Sequence, residues 1–138
     1  MIGAIRVIGI DTNVLVRYFT LDDSRQAAAA TRFIERGLSA EQQGHVCHVS
    51  LAELAWVLRS NYEADAEEVT RAMMFLLTDA RFFVDDKSSV WMALDIYRDG
   101  GVDFGDAMIA AVARRRGCSK TMTFDKKATR IPGMTLLT

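Results

Sequence analysis

The chain has 138 residues, half of them apolar, and its 17 Lys and Arg residues nearly balance its 18 Asp and Glu residues. This length and apolar content suit one domain with a sizeable core. The balanced charge gives no overall attraction to nucleic acid, although a local basic patch would be sufficient for binding. Cys47 and Cys118 form no CxxC pair, so we expect no disulfide framework and a reducing, cytoplasmic setting.

The amino-terminal segment MIGAIRVIGID lacks the pattern of a secretory signal, because Arg6 interrupts its apolar run and Asp11 ends it. No apolar run reaches the roughly 18 residues that a membrane-spanning helix needs. We therefore expect a soluble protein without membrane association.

Apolar, β-branched segments alternate with segments of helical periodicity along the chain. The predicted strands are 4–10, 44–49, 81–84, 119–124 and 134–137. The predicted helices begin at Asp11, Ser24, Ser50, Asp65, Ser88 or Ser89, and Asp103. This alternation is typical of a parallel sheet covered by helices on both faces, with its site beyond the carboxyl ends of the strands.

Acidic side chains directly follow two of the predicted strands. Asp11 comes after the first strand, and Asp125 comes after the strand that contains Thr123. If these strands are parallel, both carboxylates lie at the carboxyl edge of the sheet. The ordinary alternative for each is a turn or helix-cap aspartate. Four residues beside the candidate acids could orient water or ligands, with turn or cap roles as the alternative for each: Thr12, Asn13, Ser50 and Thr123.

Glu53 lies in the first turn of a predicted helix. Ser50 and Glu53 fit the capping box S-x-x-E, in which Glu53 would only bond to the Ser50 amide. However, Trp56 and Val57 follow Glu53 at helical spacing, and the segment 51–58 carries no other charge. We therefore expect Glu53 to point into protein or a cleft. Trp56 could belong to the core or to a surface that contacts a partner, and we expect the core.

Asp103 and Asp106 stand at the beginning of a predicted alanine-rich helix. Asp103 is expected to be the N-cap residue. Asp106 is expected to begin a packing stripe that continues through Ile109, Ala110 and Ala113. This position favours an inward, functional carboxylate at Asp106 over the alternative of a helix-capping role.

The candidate acids predict a hard-metal site. Two unit charges about 4 Å apart repel by about 4 kcal/mol at an effective dielectric of 20, whereas a helix N-terminus stabilises a carboxylate by only ~0.3–1 kcal/mol. Several carboxylates in one cleft must therefore protonate or bind a cation. Oxygen ligands favour Mg²⁺ or Mn²⁺, and such a site suits hydrolysis of a phosphodiester by metal-activated water. The candidates are Asp11, Glu53, Asp106 and Asp125.

Four segments together resemble the PIN-domain ribonucleases and, among these, the VapC-type toxins of bacterial toxin–antitoxin pairs. They are IDTNVLVRYF at 10–19, SLAELAWVL at 50–58, DFGDAMIAAVARRRGC at 103–118 and TFDKKATRIPGM at 123–134. The resemblance runs nearly end to end, and the order and spacing of the segments make it specific. It implies a single PIN domain of residues 1–138, with a three-layer α/β fold and a central, mostly parallel sheet flanked by helices.

The resemblance also implies roles for individual acids. Asp11, Glu53 and Asp106 match the first, second and third metal-site acids of the family. Asp125 matches the more variable fourth acid, which often acts through water, and Asp103 is an additional nearby acid. The implied activity is Mg²⁺- or Mn²⁺-dependent hydrolysis of single-stranded RNA, leaving 5′-phosphate and 3′-hydroxyl ends.

Partners follow from the charges and from the resemblance. Lys126 and Lys127 adjoin Asp125 and are the best candidates for contacts with RNA phosphates, and Arg17 is a further one. A solvated charged face is the alternative for all three. VapC-type proteins are usually homodimers held inactive by a cognate VapB-type antitoxin, so the resemblance implies both kinds of partner.

Other function classes fit the sequence less well. A phosphate-accepting receiver domain needs an acidic pair at the end of the first strand, where this chain has Asp11, Thr12 and Asn13. A haloacid-dehalogenase-like phosphatase needs a second aspartate where Asn13 stands. Cleavage through the RNA 2′-hydroxyl would need acid–base groups such as histidine pairs, and we expect His45 and His48 to be structural. A PIN-like module that binds RNA or protein without cutting remains the alternative, which the intact acid set disfavours.

Overall fold

The computed structural model describes residues 6–138. Ala4 and Ile5 of the predicted first strand, and the beginning of the segment compared with a secretory signal, therefore lie outside the described residues. Contacts between Cα atoms divide the chain into two compact units, one ending at Asp85 and one beginning at Asp86. Each unit contains helices and parallel strands, which confirms the expected α/β class.

The first unit contains a parallel sheet of three strands in the order β1-β2-β3. Its elements are β1 (Arg6–Gly9), α1 (Thr12–Thr20), α2 (Ser24–Arg32), β2 (Gln42–Val46), α3 (His48–Asn61), α4 (Ala66–Thr78) and β3 (Phe82–Val84). A π-helical turn, Phe33–Gly37, continues α2, so the helical region predicted to extend to about residue 37 is present.

One face of the three-stranded sheet belongs to the core of the first unit. Val46, Phe82 and Val84 are buried on this face, and each contributes about 1.5–3 kcal/mol by leaving water. Phe83, on the opposite face, is exposed. The prediction that the first strand is buried is wrong, because the four residues of β1 are all exposed. In the sheet of the first unit, β1 is an edge strand that pairs with β2 alone.

The second unit packs two helices with a pair of parallel strands. Its elements are α5 (Lys87–Arg98), α6 (Phe104–Arg115), β4 (Thr121–Thr123), a 3₁₀ turn (Lys127–Arg130) and β5 (Met134–Leu136). The rings of Tyr97 and Phe104 join the helices edge to face, with centroids 5.6 Å apart. A buried apolar cluster connects the α6 region with the turn and β5; its members are Val102, Ala110, Ile131 and Met134.

The described strands form two sheets, and the acids that follow β1 and β4 belong to different ones. β1 pairs with β2, whereas β4 pairs with β5. The expectation that Asp11 and Asp125 lie at one edge of the same sheet is therefore wrong for the described residues. Local strand patterns locate each strand, but they do not determine which strands become neighbours.

Aspartates rather than serines begin several helices. Asp65 caps α4 in a reciprocal capping box with Glu68, as the predicted start at Asp65 requires. α2 is capped by Asp23, one residue before the predicted Ser24, and α5 is capped by Asp86 rather than by a serine. A carboxylate satisfies an otherwise unpaired N–H group in the first turn and also interacts favourably with the helix dipole.

The loop before β3 is held by an ion pair between Asp79 and Arg81. The Asp79 carboxylate accepts hydrogen bonds from Arg81 Nε at 2.9 Å and from Arg81 Nη2 at 2.8 Å. Arg81 Nη1 also donates to the carbonyl oxygen of Ile34 at 3.4 Å. The hydrogen bonds from the Arg81 side chain lower the pKa of Asp79.

We predict that Asp79→Asn lowers the free energy of unfolding at pH 7 by about 1 kcal/mol. The pKa of Asp79 is lower in the folded chain than the ordinary value of about 3.9. The stabilisation is therefore complete above that ordinary value and is lost as the pH falls through the folded-state pKa. Urea unfolding between pH 7 and pH 3 should show the difference between wild type and variant shrinking with acid.

The matched control for this prediction is Glu67→Gln. Glu67 pairs with Arg71 on the exposed face of α4, with side chains 80% and 65% exposed, so its loss should change the stability negligibly. A stability loss in Asp79→Asn that stays constant between pH 7 and pH 3 would contradict the assigned role of the carboxylate.

Candidate functional site

Asp11 begins α1 directly after β1. Its Oδ1 accepts a hydrogen bond from the backbone N–H of Thr12 at 2.7 Å, so Asp11 is the helix cap that the sequence allowed. The side chain is nevertheless exposed. Among residues 6–138, Oδ1 is the only oxygen of this carboxylate in a hydrogen bond, which leaves Oδ2 available to a ligand.

Glu53 is not part of a capping box. α3 begins at His48 with Cys47 as its N-cap residue, two residues before the predicted start at Ser50. Ser50 is buried, and its hydroxyl lies 3.5 Å from Cys47 Sγ, which lowers the pKa of the Cys47 thiol. Glu53 Oε1 instead accepts a hydrogen bond from the Thr12 hydroxyl at 2.7 Å. Thr12 is buried, so this bond gives the Glu53 carboxylate a fixed support in the first unit.

Trp56 is exposed, so the expectation that it lies in the core is wrong, and a partner surface is the alternative that remains. Glu53 is exposed too, so it does not point into the protein, and the cleft stays a prediction. The buried face of α3 is made by Ser50, Leu51, Leu54, Ala55 and Leu58. The face with Glu53 and Trp56 points away from these residues. An apolar helical segment predicts that one face of the helix is buried. Which face is buried depends on the elements that pack against the helix.

Asp103 and Asp106 are positioned by the first turn of α6. Asp103 is the N-cap residue, as predicted, although its side chain makes no capping hydrogen bond. Asp106 is half-buried. The predicted packing stripe is wrong at Ile109, which is 56% exposed. The buried face of α6 consists of Phe104, Ala107, Met108, Ala110 and Ala111.

Asp125 is held in the turn after β4. Its N–H donates to Thr123 Oγ1 at 3.0 Å, and its Oδ1 accepts from the backbone N–H of Lys127 at 2.9 Å. The turn role that the sequence allowed for Asp125 and Thr123 is therefore present. The Asp125 side chain remains exposed.

Three carboxylates of the second unit influence one another. Burial raises the pKa of Asp106, and the negative charges of Asp103 and Asp125 raise it further, whereas the positive charge of Lys127 opposes the shift. A divalent cation would relieve this repulsion, and carboxylate oxygens are ligands that Mg²⁺ and Mn²⁺ prefer. The donor chemistry of these residues thus fits a hard divalent cation.

The candidate acids belong to two units. Asp11 and Glu53 lie in the first unit, and Asp103, Asp106 and Asp125 lie in the second. Within residues 6–138, no group of three or more His, Cys, Asp or Glu side chains is arranged to hold a metal ion. The four-acid metal site therefore stays a prediction.

The other candidates differ in their surroundings. Arg17 Nε donates to Gln26 at 2.7 Å, and Arg17 Nη1 lies 3.6 Å from Asp22 Oδ2, so its guanidinium is engaged within the first unit. Asn13 is exposed and lines an apolar cavity of about 550 Å³ beside α1 and α2. The side chains of Lys126 and Lys127 are exposed and accessible to a polyanion.

Both histidines contact Asp85, which no sequence motif indicated. His45 Nε2 lies 3.0 Å from Asp85 Oδ2, and His48 Nε2 lies 2.6 Å from the Asp85 carbonyl oxygen. These contacts join the end of β2 and the start of α3 to the segment after β3, which agrees with the structural role expected for the histidines. His48 begins α3 rather than continuing the strand. The signal available in the sequence was the position of Asp85 directly after the predicted strand 81–84.

None of the helices in the described part of the chain is both long and apolar enough to span a bilayer.

The comparisons with known proteins give one positive result. The search of curated proteins finds no match. The family model of the PIN domain matches residues 8–134, a range that covers most of both units and includes all four candidate acids. With this match across nearly the whole sequence, the chain belongs to the PIN-domain family.

Proposed function

We propose that this protein is an endoribonuclease that hydrolyses phosphodiester bonds of single-stranded RNA with Mg²⁺ or Mn²⁺. The observation that carries the proposal is the PIN-domain match over residues 8–134, because PIN domains are generally metal-dependent nucleases. The match also runs across both units, which supports a single PIN domain formed by residues 1–138.

The proposed metal ligands and catalytic acids are Asp11, Glu53, Asp106 and Asp125. A bound Mg²⁺ or Mn²⁺ would supply Lewis acidity for the activation of water and for the leaving oxygen. The protein contributes oriented carboxylates. Asp11 is held by its cap bond, and Glu53 is held by the Thr12 hydroxyl.

The remaining groups have supporting roles in this proposal. Asp103 adds negative charge beside Asp106 and so favours a cation there. Lys126 and Lys127 pair with RNA phosphates and draw the polyanion toward the acids. Ser50 and Thr123 have indirect roles. The Ser50 hydroxyl contacts Cys47 Sγ, and the Thr123 hydroxyl accepts a hydrogen bond from the backbone N–H of Asp125.

The proposed biological role is that of a VapC-type toxin in a type II toxin–antitoxin pair. The support is the resemblance of the segments 10–19, 50–58, 103–118 and 123–134 to those toxins. A homodimer and a cognate VapB-type antitoxin are the partners that this role requires. A cytoplasmic location suits the two free thiols, Cys47 and Cys118, and the RNA substrate.

The second candidate function is a PIN-like module that binds RNA or protein without cutting. The observation that favours it is the exposure of Lys126 and Lys127, because contacts with RNA phosphates support binding and need no metal ion. This alternative and the nuclease differ in one result, which is cleavage of bound RNA on addition of Mn²⁺.

We predict that the antitoxin-free wild type cleaves labelled single-stranded RNA with Mn²⁺ and does not cleave it with a chelator. Asp106→Asn should lower the cleavage rate by about 100-fold or more, because the amide keeps the shape of the carboxylate and removes its charge. Gel analysis of the RNA measures the rate, and circular dichroism checks that the variant is folded.

The matched control is Asp95→Asn, which replaces an exposed acid on α5 in the same unit and should retain the wild-type rate. Equal cleavage by wild type and Asp106→Asn would remove Asp106 from the mechanism. Binding of RNA by the wild type without cleavage would instead favour the non-cutting module.

Thr12 is predicted to act as a positioning residue through Glu53. Thr12→Val keeps the shape of the buried side chain but removes the hydrogen bond to Glu53. We expect about a 10-fold to 100-fold lower cleavage rate and a higher Mn²⁺ concentration for half-maximal activity. Thr12→Ser, which keeps the hydroxyl, should restore both values.

The control for Thr12 is Thr20→Val in the same helix, where the hydroxyl only bonds to the carbonyl of Val16. That variant should leave the Mn²⁺ dependence unchanged. A Thr12→Val protein with the wild-type rate and Mn²⁺ requirement would show that the Glu53 carboxylate needs no support from Thr12.

A further inference from the structure

Trp56 and Val49 are exposed apolar side chains on either side of Glu53. Val49 lies four residues before Glu53 and Trp56 lies three residues after it, so the three side chains share one face of α3. Both Val49 and Trp56 are 66% exposed. The indole is therefore available to a partner at a distance of about one helical turn from the Glu53 carboxylate.

We propose that Trp56 stacks on a base of the single-stranded RNA, next to the phosphodiester on which Glu53 acts. This inference rests on the proposed nuclease function and extends it from the scissile bond to recognition of the neighbouring nucleotide. An indole offers a large planar surface, and stacking between bases and aromatic rings is a general means of holding single strands.

The position of Glu53 favours RNA over a protein partner on this face. Charged residues are depleted from the cores of protein interfaces, because a carboxylate covered by an apolar partner loses its hydration. A stacked base covers the Trp56 ring and leaves the Glu53 carboxylate hydrated. The hydrogen bond from Thr12 keeps Glu53 in place beside the ring.

The contact has a consequence for substrate choice. Every base has a π-face, so stacking on Trp56 adds affinity for unpaired nucleotides with little preference for one base. In a duplex the bases are already stacked on each other and are not available to the indole. The Trp56 ring thus favours single-stranded RNA over a duplex.

Fluorescence can report the contact without any cleavage, because Trp56 and Trp91 are the two tryptophans of the sequence. In a Trp91→Phe protein, the emission comes from Trp56 alone. The probes are a 12-nucleotide single-stranded RNA and an oligomer of equal length with abasic riboses, each added in EDTA and in Ca²⁺. We expect the RNA to quench the emission in at least one buffer and the abasic oligomer to quench it far less.

Substitutions of Trp56 then distinguish the contribution of an aromatic ring from that of apolar volume alone. Trp56→Leu should weaken binding of the 12-nucleotide RNA by about tenfold in fluorescence anisotropy, whereas Trp56→Phe should stay within about threefold of wild type. Val49→Ala is the matched control, since it trims an apolar side chain of equal exposure on the same face and removes no ring. Binding of the abasic oligomer should be the same for all these variants.

Several outcomes would overturn the inference. These are unchanged Trp56 emission with RNA in both buffers, equal quenching by the abasic oligomer, and equal RNA affinity of the Leu and Phe variants. A lower molecular mass of Trp56→Leu in light scattering, with wild-type RNA affinity per chain, would assign the face to a second copy of the protein.

The same experiments keep this inference apart from the nuclease proposal. Quenching by RNA in a protein that cuts nothing with Mn²⁺ would support the stacking contact and contradict the nuclease. Normal cleavage together with equal binding by Trp56→Leu and Trp56→Phe would support the nuclease and contradict the stacking contact.

Discussion

The hydrogen bond from the Thr12 hydroxyl to the Glu53 carboxylate is the interaction on which the interpretation of the first unit depends. It joins the first turn of α1 to α3 at 2.7 Å, and its donor is buried while its acceptor is exposed. The Thr12 side chain is buried, so its hydroxyl oxygen has a fixed position and holds the acidic side chain on a surface where it would otherwise sample several rotamers. This hydrogen bond limits the rotamers of the Glu53 side chain and leaves its carboxylate accessible to solvent.

In the second unit, the interaction that matters most for the interpretation is electrostatic repulsion among acidic side chains. Asp106 is half-buried, and this burial together with the charges of Asp103 and Asp125 raises its pKa. Asp103 makes no capping hydrogen bond, and the turn bond of Asp125 serves the backbone, so the charge of Lys127 is what opposes this shift. A chain that keeps several acids under such conditions gains from any divalent ion that binds them, which is the physical basis for the metal dependence of the proposed reaction.

Local signals in the sequence predicted most of the helices and strands. The predictions that were wrong concern which residues contact one another in the folded chain. The start of α4 at Asp65 and the N-cap at Asp103 follow from side chains that bond within one turn or that mark its beginning. The exposure of β1 and of Trp56 was not predictable, because apolar character does not say which face a distant element will cover. The support of Glu53 by Thr12 was also not predictable, since 41 residues separate the two side chains. The sequence therefore predicted which acidic residues are candidates for the site, whereas the contacts of these residues are seen only in the structure.

The exposure of Glu53 separates this side chain from the packing of the first unit. Replacing it removes no packed volume, so the cost to stability comes from the Thr12 hydroxyl, which loses its partner, and is about 1 kcal/mol. The core of α3, with Leu51, Leu54 and Leu58, is independent of that carboxylate. In the proposed nuclease, one substitution at Glu53 would therefore remove a catalytic carboxylate and keep the scaffold on which RNA binds.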